Sequence, residues 1–176
     1  ERGDEAEVAY RKAIELAPAD SDPWNNLGNI LSKQPERADE AEATYRKTAE
    51  IDPTDATPWR NLGLLLAKQP ERGDEAEVAY RKAIELAPTD YAPWNNLGLL
   101  LVEQPERADE AEAAYRKAIE LDPENGTAHG NLGRLLLDRD DLEAAEPELQ
   151  RAVTLDTKNR HYWQAQLDKL HARRSA

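Results

Sequence analysis

ERGDEAEVAYRKAIELAP occupies residues 1–18 and returns unchanged at residues 71–88. Near copies, ERADEAEATYRKTAEIDP and ERADEAEAAYRKAIELDP, fill residues 36–53 and 106–123. The openings at Glu1, Glu36, Glu71 and Glu106 stand 35 residues apart. A period of this length marks one small unit stacked on itself. A unit so short cannot bury its apolar face alone and must lean on its neighbours.

Each unit reads as two helices. In the second, from Asp39 to Pro53, residues Ala41, Tyr45, Thr48 and Ile51 fall near one stripe and charge takes the rest. Acidic residues open this helix and Arg46 and Lys47 follow, in accord with the helix dipole. Glu42 precedes Arg46 by four residues, a pairing worth about 0.3–0.5 kcal/mol that recurs as Glu7–Arg11, Glu77–Arg81 and Glu112–Arg116. Pro53 stops the helix. The first helix follows a polar turn, with Pro23, Pro58 and Pro93 near its first turn, where a missing N–H costs nothing. Trp24, Leu27 and Leu31 share one face. Gly28, Gly63, Gly98 and Gly133 recur inside it, at up to about 1 kcal/mol each relative to Ala. Their recurrence predicts a helix–helix approach too close for a Cβ.

The string Trp24-x2-Leu27-Gly28-x2-Leu31, followed by Ala41-x3-Tyr45 and Pro53, resembles the tetratricopeptide repeat. It returns around Trp59, Gly63, Tyr80 and Pro88, and around Trp94, Gly98, Tyr115 and Pro123. A weaker copy carries His129, Leu132, Gly133, Ala145 and Leu149. The resemblance implies an all-α fold, an α–α superhelix or right-handed solenoid of antiparallel helix pairs. On this basis residues 1–176 form a single solenoid. Residues 1–18 are a half unit, 19–53, 54–88, 89–123 and 124–157 are helix pairs, and 158–176 hold a capping helix and tail. Two departures stand out: Leu replaces the usual Tyr in the first helix, and the period is 35 rather than 34. Gly28 to Ala41 spans 13 positions but Gly133 to Ala145 spans 12, so the extra residue belongs to the turn between the helices of a pair. A 35-residue period also suits pentatricopeptide repeats, which bind RNA, but the Trp-x2-Leu-Gly signature and the acidic balance oppose that reading.

Chemistry-bearing motifs are scarce. The net charge of −13 argues against nucleic acid and against an anionic membrane surface, since phosphates need clustered Lys and Arg. The longest apolar run, Leu99–Val102, is far short of the roughly 20 residues that span a bilayer. With no cysteine there is no disulfide or thiol chemistry. His129, His161 and His171 are too scattered for a metal site, and His129 stands where its pair should carry the packing Trp. The Asp–Glu runs are first turns of helices rather than paired catalytic acids. The expectation is therefore no enzyme, no cofactor and no metal. No signal peptide is visible, and the cytoplasm is the favoured location.

Residues 1–35 and 71–105 differ at seven positions, six of them at the start of the first helix or along it: Ser21/Tyr91, Asp22/Ala92, Asn29/Leu99, Ile30/Leu100, Ser32/Val102 and Lys33/Glu103. The resemblance implies that first helices line a concave groove and that a protein or peptide partner binds there. One position does not vary: Asn26, Asn61, Asn96 and Asn131. A side-chain amide offers an acceptor and two donors, enough to pair with a peptide backbone. First helices about 8–10 Å apart would meet a strand rising about 3.3 Å per residue at roughly every third residue. Asn25, Arg60, Asn95 and Arg134 are expected to supply polar selectivity, and Tyr91, Leu64 and Leu99 apolar contacts. The chaperone-tail clamp of the family is not matched, because Leu64, Thr127 and Asn131 replace its ligating residues and only Asn96 fits.

The ends break the pattern. Residues 1–18 lack a first helix, which leaves one face uncovered and suggests a structural alternative to groove binding: a self-associating array that stacks end to end through this half unit, the chain being either a monomer or weakly self-associating end to end. Pro147 falls inside the helix predicted from Leu142 to Leu155, so a late start or a kink is expected there. Arg160 to Arg174 is amphipathic through Trp163, Leu167 and Leu170 and reads as the cap.

Overall fold

Every repeated stretch folds as the period predicts. The computed structural model describes residues 2–175. The chain forms two halves, Glu1–Pro88 and Thr89–Ala176. The first holds α1 (Arg2–Leu16), α2 (Ser21–Leu31), α3 (Ala38–Ile51), α4 (Thr57–Leu66) and α5 (Gly73–Leu86). The second holds α6 (Tyr91–Leu101), α7 (Ala108–Leu121), α8 (Gly126–Asp138), α9 (Leu142–Leu155) and α10 (Arg160–Arg174). No strand occurs among the described residues.

First helices start where a polar side chain takes up an orphan N–H. Asp20 accepts from the Asp22 amide at 3.2 Å, Asp90 from that of Ala92 at 2.9 Å, and Asn125 from that of Ala128 at 2.9 Å. Pro23, Pro58 and Pro93 are buried in the first turns. Within each of the first three pairs the glycine of the first helix meets an aromatic ring of the second, and in the fourth Gly133 meets Leu149. A Cβ on Gly28, Gly63 or Gly98 would lie 2.5–2.6 Å from the ring of Tyr45, Tyr80 or Tyr115. The interior glycines are therefore what lets the tyrosines reach the core. Each buried Leu or Tyr side chain contributes about 1.5–3 kcal/mol by leaving water. Leu31, Leu66, Leu101, Tyr80 and Tyr115 are all essentially inaccessible.

The extra residue of the 35-residue period appears where expected. Single 3-10 turns at Pro35–Arg37, Pro70–Arg72 and Pro105–Arg107 join the helices of the first three pairs. The fourth pair lacks this turn. There α8 runs on to Asp138, and Asp140 takes a left-handed conformation (φ 63°) that lets the chain reverse in fewer residues.

Pro147 does not delay its helix. Asp141 accepts from the Ala144 amide at 3.1 Å, and α9 begins at Leu142. The cost of the missing N–H is met by burial of Ala145, Leu149 and Ala152 against the flanking helices α8 and α10. In α10, Trp163, Leu167 and Leu170 are buried, Arg173 donates to the Leu137 carbonyl at 2.7 Å, and Arg174 donates to that of Leu142 at 2.9 Å.

Candidate functional site

Asn61 is the centre of a polar network. Its amide donates to Asn29 Oδ1 at 3.0 Å and to Asn25 Oδ1 at 3.2 Å, linking α4 to α2. Asn29 Oδ1 also accepts the Tyr45 hydroxyl of α3 at 2.9 Å, and that hydroxyl stands 3.3 Å from Ser32 Oγ. Burial raises the Tyr45 pKa, and the Ser32 contact offsets part of the rise. The donors of Asn61 are thus engaged within the protein, while its carbonyl oxygen accepts from no described residue.

These residues bound a cavity of about 490 Å³. Asn29, Ser32 and Lys33 supply one wall, and Tyr45 contributes from α3. Asn61, Leu64, Leu65 and Lys68 form the other wall. The cavity is polar at the Tyr45 end, apolar along the two leucines and cationic at the two lysines. No carboxylate lines it.

The second half carries a simpler version. Asn131 donates to Asn95 Oδ1 at 3.0 Å. Asn131 is buried, so its amide is committed to that contact. Leu99 replaces the Asn29 acceptor, and the Tyr115 hydroxyl is buried without a hydrogen-bond partner. Burial pushes its pKa up, and the nearby charge of Arg134 draws it partly back.

The structure thus brings together Asn25, Asn61 and Leu64 in one half, and Asn95 with Asn131 in the other. Asn26 and Asn96 are half-buried on α2 and α6, and Arg60 is half-buried on α4. Tyr91, at the start of α6, and Leu99 are exposed by 37% and 39%. Asn29, Ser32, Tyr45, Lys33 and Lys68 escaped the sequence reading as site residues. Lys33 and Lys68 carry a signal, since they recur 35 residues apart.

His129 is structural, as its place in the repeat suggests. Its Nε2 lies 3.0 Å from the Pro123 carbonyl, as Trp24 Nε1 lies 3.2 Å from that of Pro18. Its Nδ1 meets Glu148 at 2.6 Å. Among the described residues no three His, Cys, Asp or Glu side chains converge to hold a metal ion, and no helix is long and apolar enough to cross a membrane.

Away from the cavity, arginines in the intra-pair turns clamp successive pairs. Arg37 reaches back to Glu7 at 2.6 and 2.8 Å and forward to Glu40 at 2.6 Å. Arg72 does the same with Glu42 and Glu75. The predicted pairs within second helices also form, at 3.0 Å for Glu7–Arg11 and 2.8–2.9 Å for the other three.

Three family models, each for the tetratricopeptide repeat, match residues 104–167, residues 9–43 with 79–113, and residues 59–90. No curated protein sequence matches the chain. Solved structures do. PilF of Pseudomonas aeruginosa superposes with a TM-score of 0.78 at 21% identity, over 97% of this chain and 85% of that one. YrrB, described as a TPR protein with an unusual peptide-binding site, gives 0.74 at 24% identity, over 95% and 84%. MamA from Desulfovibrio magneticus RS-1 gives 0.73 at 22% identity, over 89% and 86%. These likenesses show an all-α helical repeat of the α–α superhelix class.

Proposed function

Because the chain belongs to the tetratricopeptide repeat family, we propose that it is a non-catalytic protein-interaction module that holds an extended peptide segment along its first helices. The observation that carries this reading is the cavity between α2 and α4, where an ordered amide network meets two leucines. Asn61 is fixed by its neighbours and keeps a carbonyl oxygen for a peptide N–H. A pre-set acceptor loses little freedom on binding, which favours affinity. YrrB, of the same fold, is described as having a peptide-binding site.

Peptide binding by the Asn61→Ala/Asn96→Ala variant tests this. Each net hydrogen bond is worth about 0.5–1.5 kcal/mol, so affinity for a peptide selected from an extended decapeptide library should fall roughly 5- to 100-fold. The melting temperature should fall by only a few degrees, the cost of the Asn61 contacts to α2. Unchanged affinity in the double variant rejects a role for these asparagine amides in peptide binding.

A further inference from the structure

We propose that the cavity between α2 and α4 receives an internal Asp or Glu side chain of the bound segment, so that the first half of the chain selects acidic peptides. This rests on the peptide-binding reading above and names the chemistry of the partner.

The cavity departs from the strongly acidic character of the chain. The sequence carries 36 acidic and 23 basic residues, yet no carboxylate lines this cavity and two lysines do. Lysines of the second helices are paired: Lys47 with Glu50, Lys82 with Glu85 and Lys117 with Glu120, at 2.7–3.0 Å. Lys33 and Lys68 have no carboxylate within ion-pair distance among the described residues, and both are exposed. A second cavity, of about 550 Å³ on the second-helix side, shows the contrast. It is lined by Asp39, Glu42 and Glu50 as well as by Arg46, Lys47 and Arg72, which are ion-paired.

One competing explanation is that Lys33 and Lys68 only complement the C-terminal ends of α2 and α4, which they follow. The equivalent residue after α6 is Glu103, and Asp138 ends α8. The helix end therefore does not dictate a cation at this place. Three of the seven residues that distinguish 1–35 from 71–105 line the cavity: Asn29, Ser32 and Lys33, against Leu99, Val102 and Glu103. The same backbone position is polar and cationic on α2 and apolar and anionic on α6. The overall charge of −13 repels an acidic peptide at long range. That repulsion is screened beyond about 8 Å at physiological salt, while a contact pair in the cavity is screened less.

The test uses the full chain and C-terminally amidated decapeptide pools with Glu, Gln or Lys fixed at one position and the rest degenerate. Amidation removes the terminal carboxylate, so only a side chain can answer the lysines. Binding is read by fluorescence anisotropy at about 0.15 M salt. A position should appear at which Glu binds about tenfold tighter than Gln, and Gln tighter than Lys. Lys33→Gln/Lys68→Gln should bring the Glu pool down to the Gln pool without moving the melting temperature, since both lysines are exposed. Lys33→Glu/Lys68→Glu should reverse the order of Glu and Lys. Equal binding of Glu and Gln pools at every position overturns the acidic subsite and leaves peptide binding standing. Binding by none of the pools overturns both.

Discussion

Tyr45, Tyr80 and Tyr115 occupy one position of the repeat, yet their hydroxyls meet different surroundings. Tyr45 donates to Asn29 at 2.9 Å, while the Tyr115 hydroxyl is buried with no partner because Leu99 and Val102 replace Asn29 and Ser32. A buried hydroxyl that makes no hydrogen bond keeps most of its desolvation cost, which the nearby Arg134 offsets only in part. Tyr45→Phe should therefore lower the free energy of unfolding by about 1 kcal/mol, and Tyr115→Phe should leave it unchanged or raise it slightly. Urea denaturation of the two variants beside the parent measures the difference. Equal losses at the two sites would mean that the Asn29 bond adds no net stability. At this scale the sequence was half legible. The recurring glycines announced a tight contact, and those at 28, 63 and 98 do abut the tyrosine rings. The partner of each hydroxyl was not legible, because it depends on residues 13 and 16 positions away on another helix.

At the level of the helix, α9 carries a clear conflict between local preference and tertiary packing. Pro147 sits inside the helix, is exposed, and supplies no N–H to the Glu143 carbonyl. The buried stripe of Ala145, Leu149 and Ala152 fixes the helix regardless. Pro147→Ala should restore one backbone hydrogen bond and raise stability by about 1–3 kcal/mol, read as a higher urea midpoint at constant m. Element boundaries elsewhere were readable because each has a local cause: Asp20 and Asp90 as caps, Pro23 and Pro93 in the first turns, and the inserted residue as a 3-10 turn. The bounds of α9, Leu142–Leu155, were readable from the repeat, but the late start expected from Pro147 does not occur, since tertiary burial overrides a proline penalty that the sequence displays openly. The Arg37 and Arg72 clamps were missed for a related reason. Their partners lie 30 residues back, beyond any i,i+4 rule.

Across the whole molecule, the charge clamps make stability sensitive to acid. Glu7 is held down to about 2, chiefly by its hydrogen bond from Arg37, and Glu42 is lowered chiefly by Arg72. A carboxyl depressed by folding stabilises the native state fully above its unfolded pKa, near 4.5, and loses that contribution as pH falls toward 2. Unfolding free energy should therefore decline between about pH 5 and pH 2. Glu7→Gln/Glu42→Gln should be less stable than the parent at neutral pH, and the two should converge at the acid end. Parallel profiles measured by denaturant titration would show that the clamps are pH-silent. The fold class was legible throughout because a period states architecture directly. The lining of the cavity between α2 and α4 was less so, since the same residue types serve helix surfaces and cavity walls alike.

The fourteen residues of α5 are repeated without change in α1, at Gly3–Leu16. Their burial differs: Ala76, Ala79 and Ala83 are covered in α5, while Ala6 and Ala13 are half-covered and Ala9 is exposed in α1. During folding, α4 is thus offered two chemically identical mates within one polypeptide. α5 is six residues away and α1 about forty, a difference in loop closure worth less than about 2 kcal/mol. Only chain connectivity and the mutual fit of α1 with α2 discriminate between them. A crowded refolding mixture accordingly supplies every chain with intermolecular rivals for the same docking event, so dilution should favour the correct pairing.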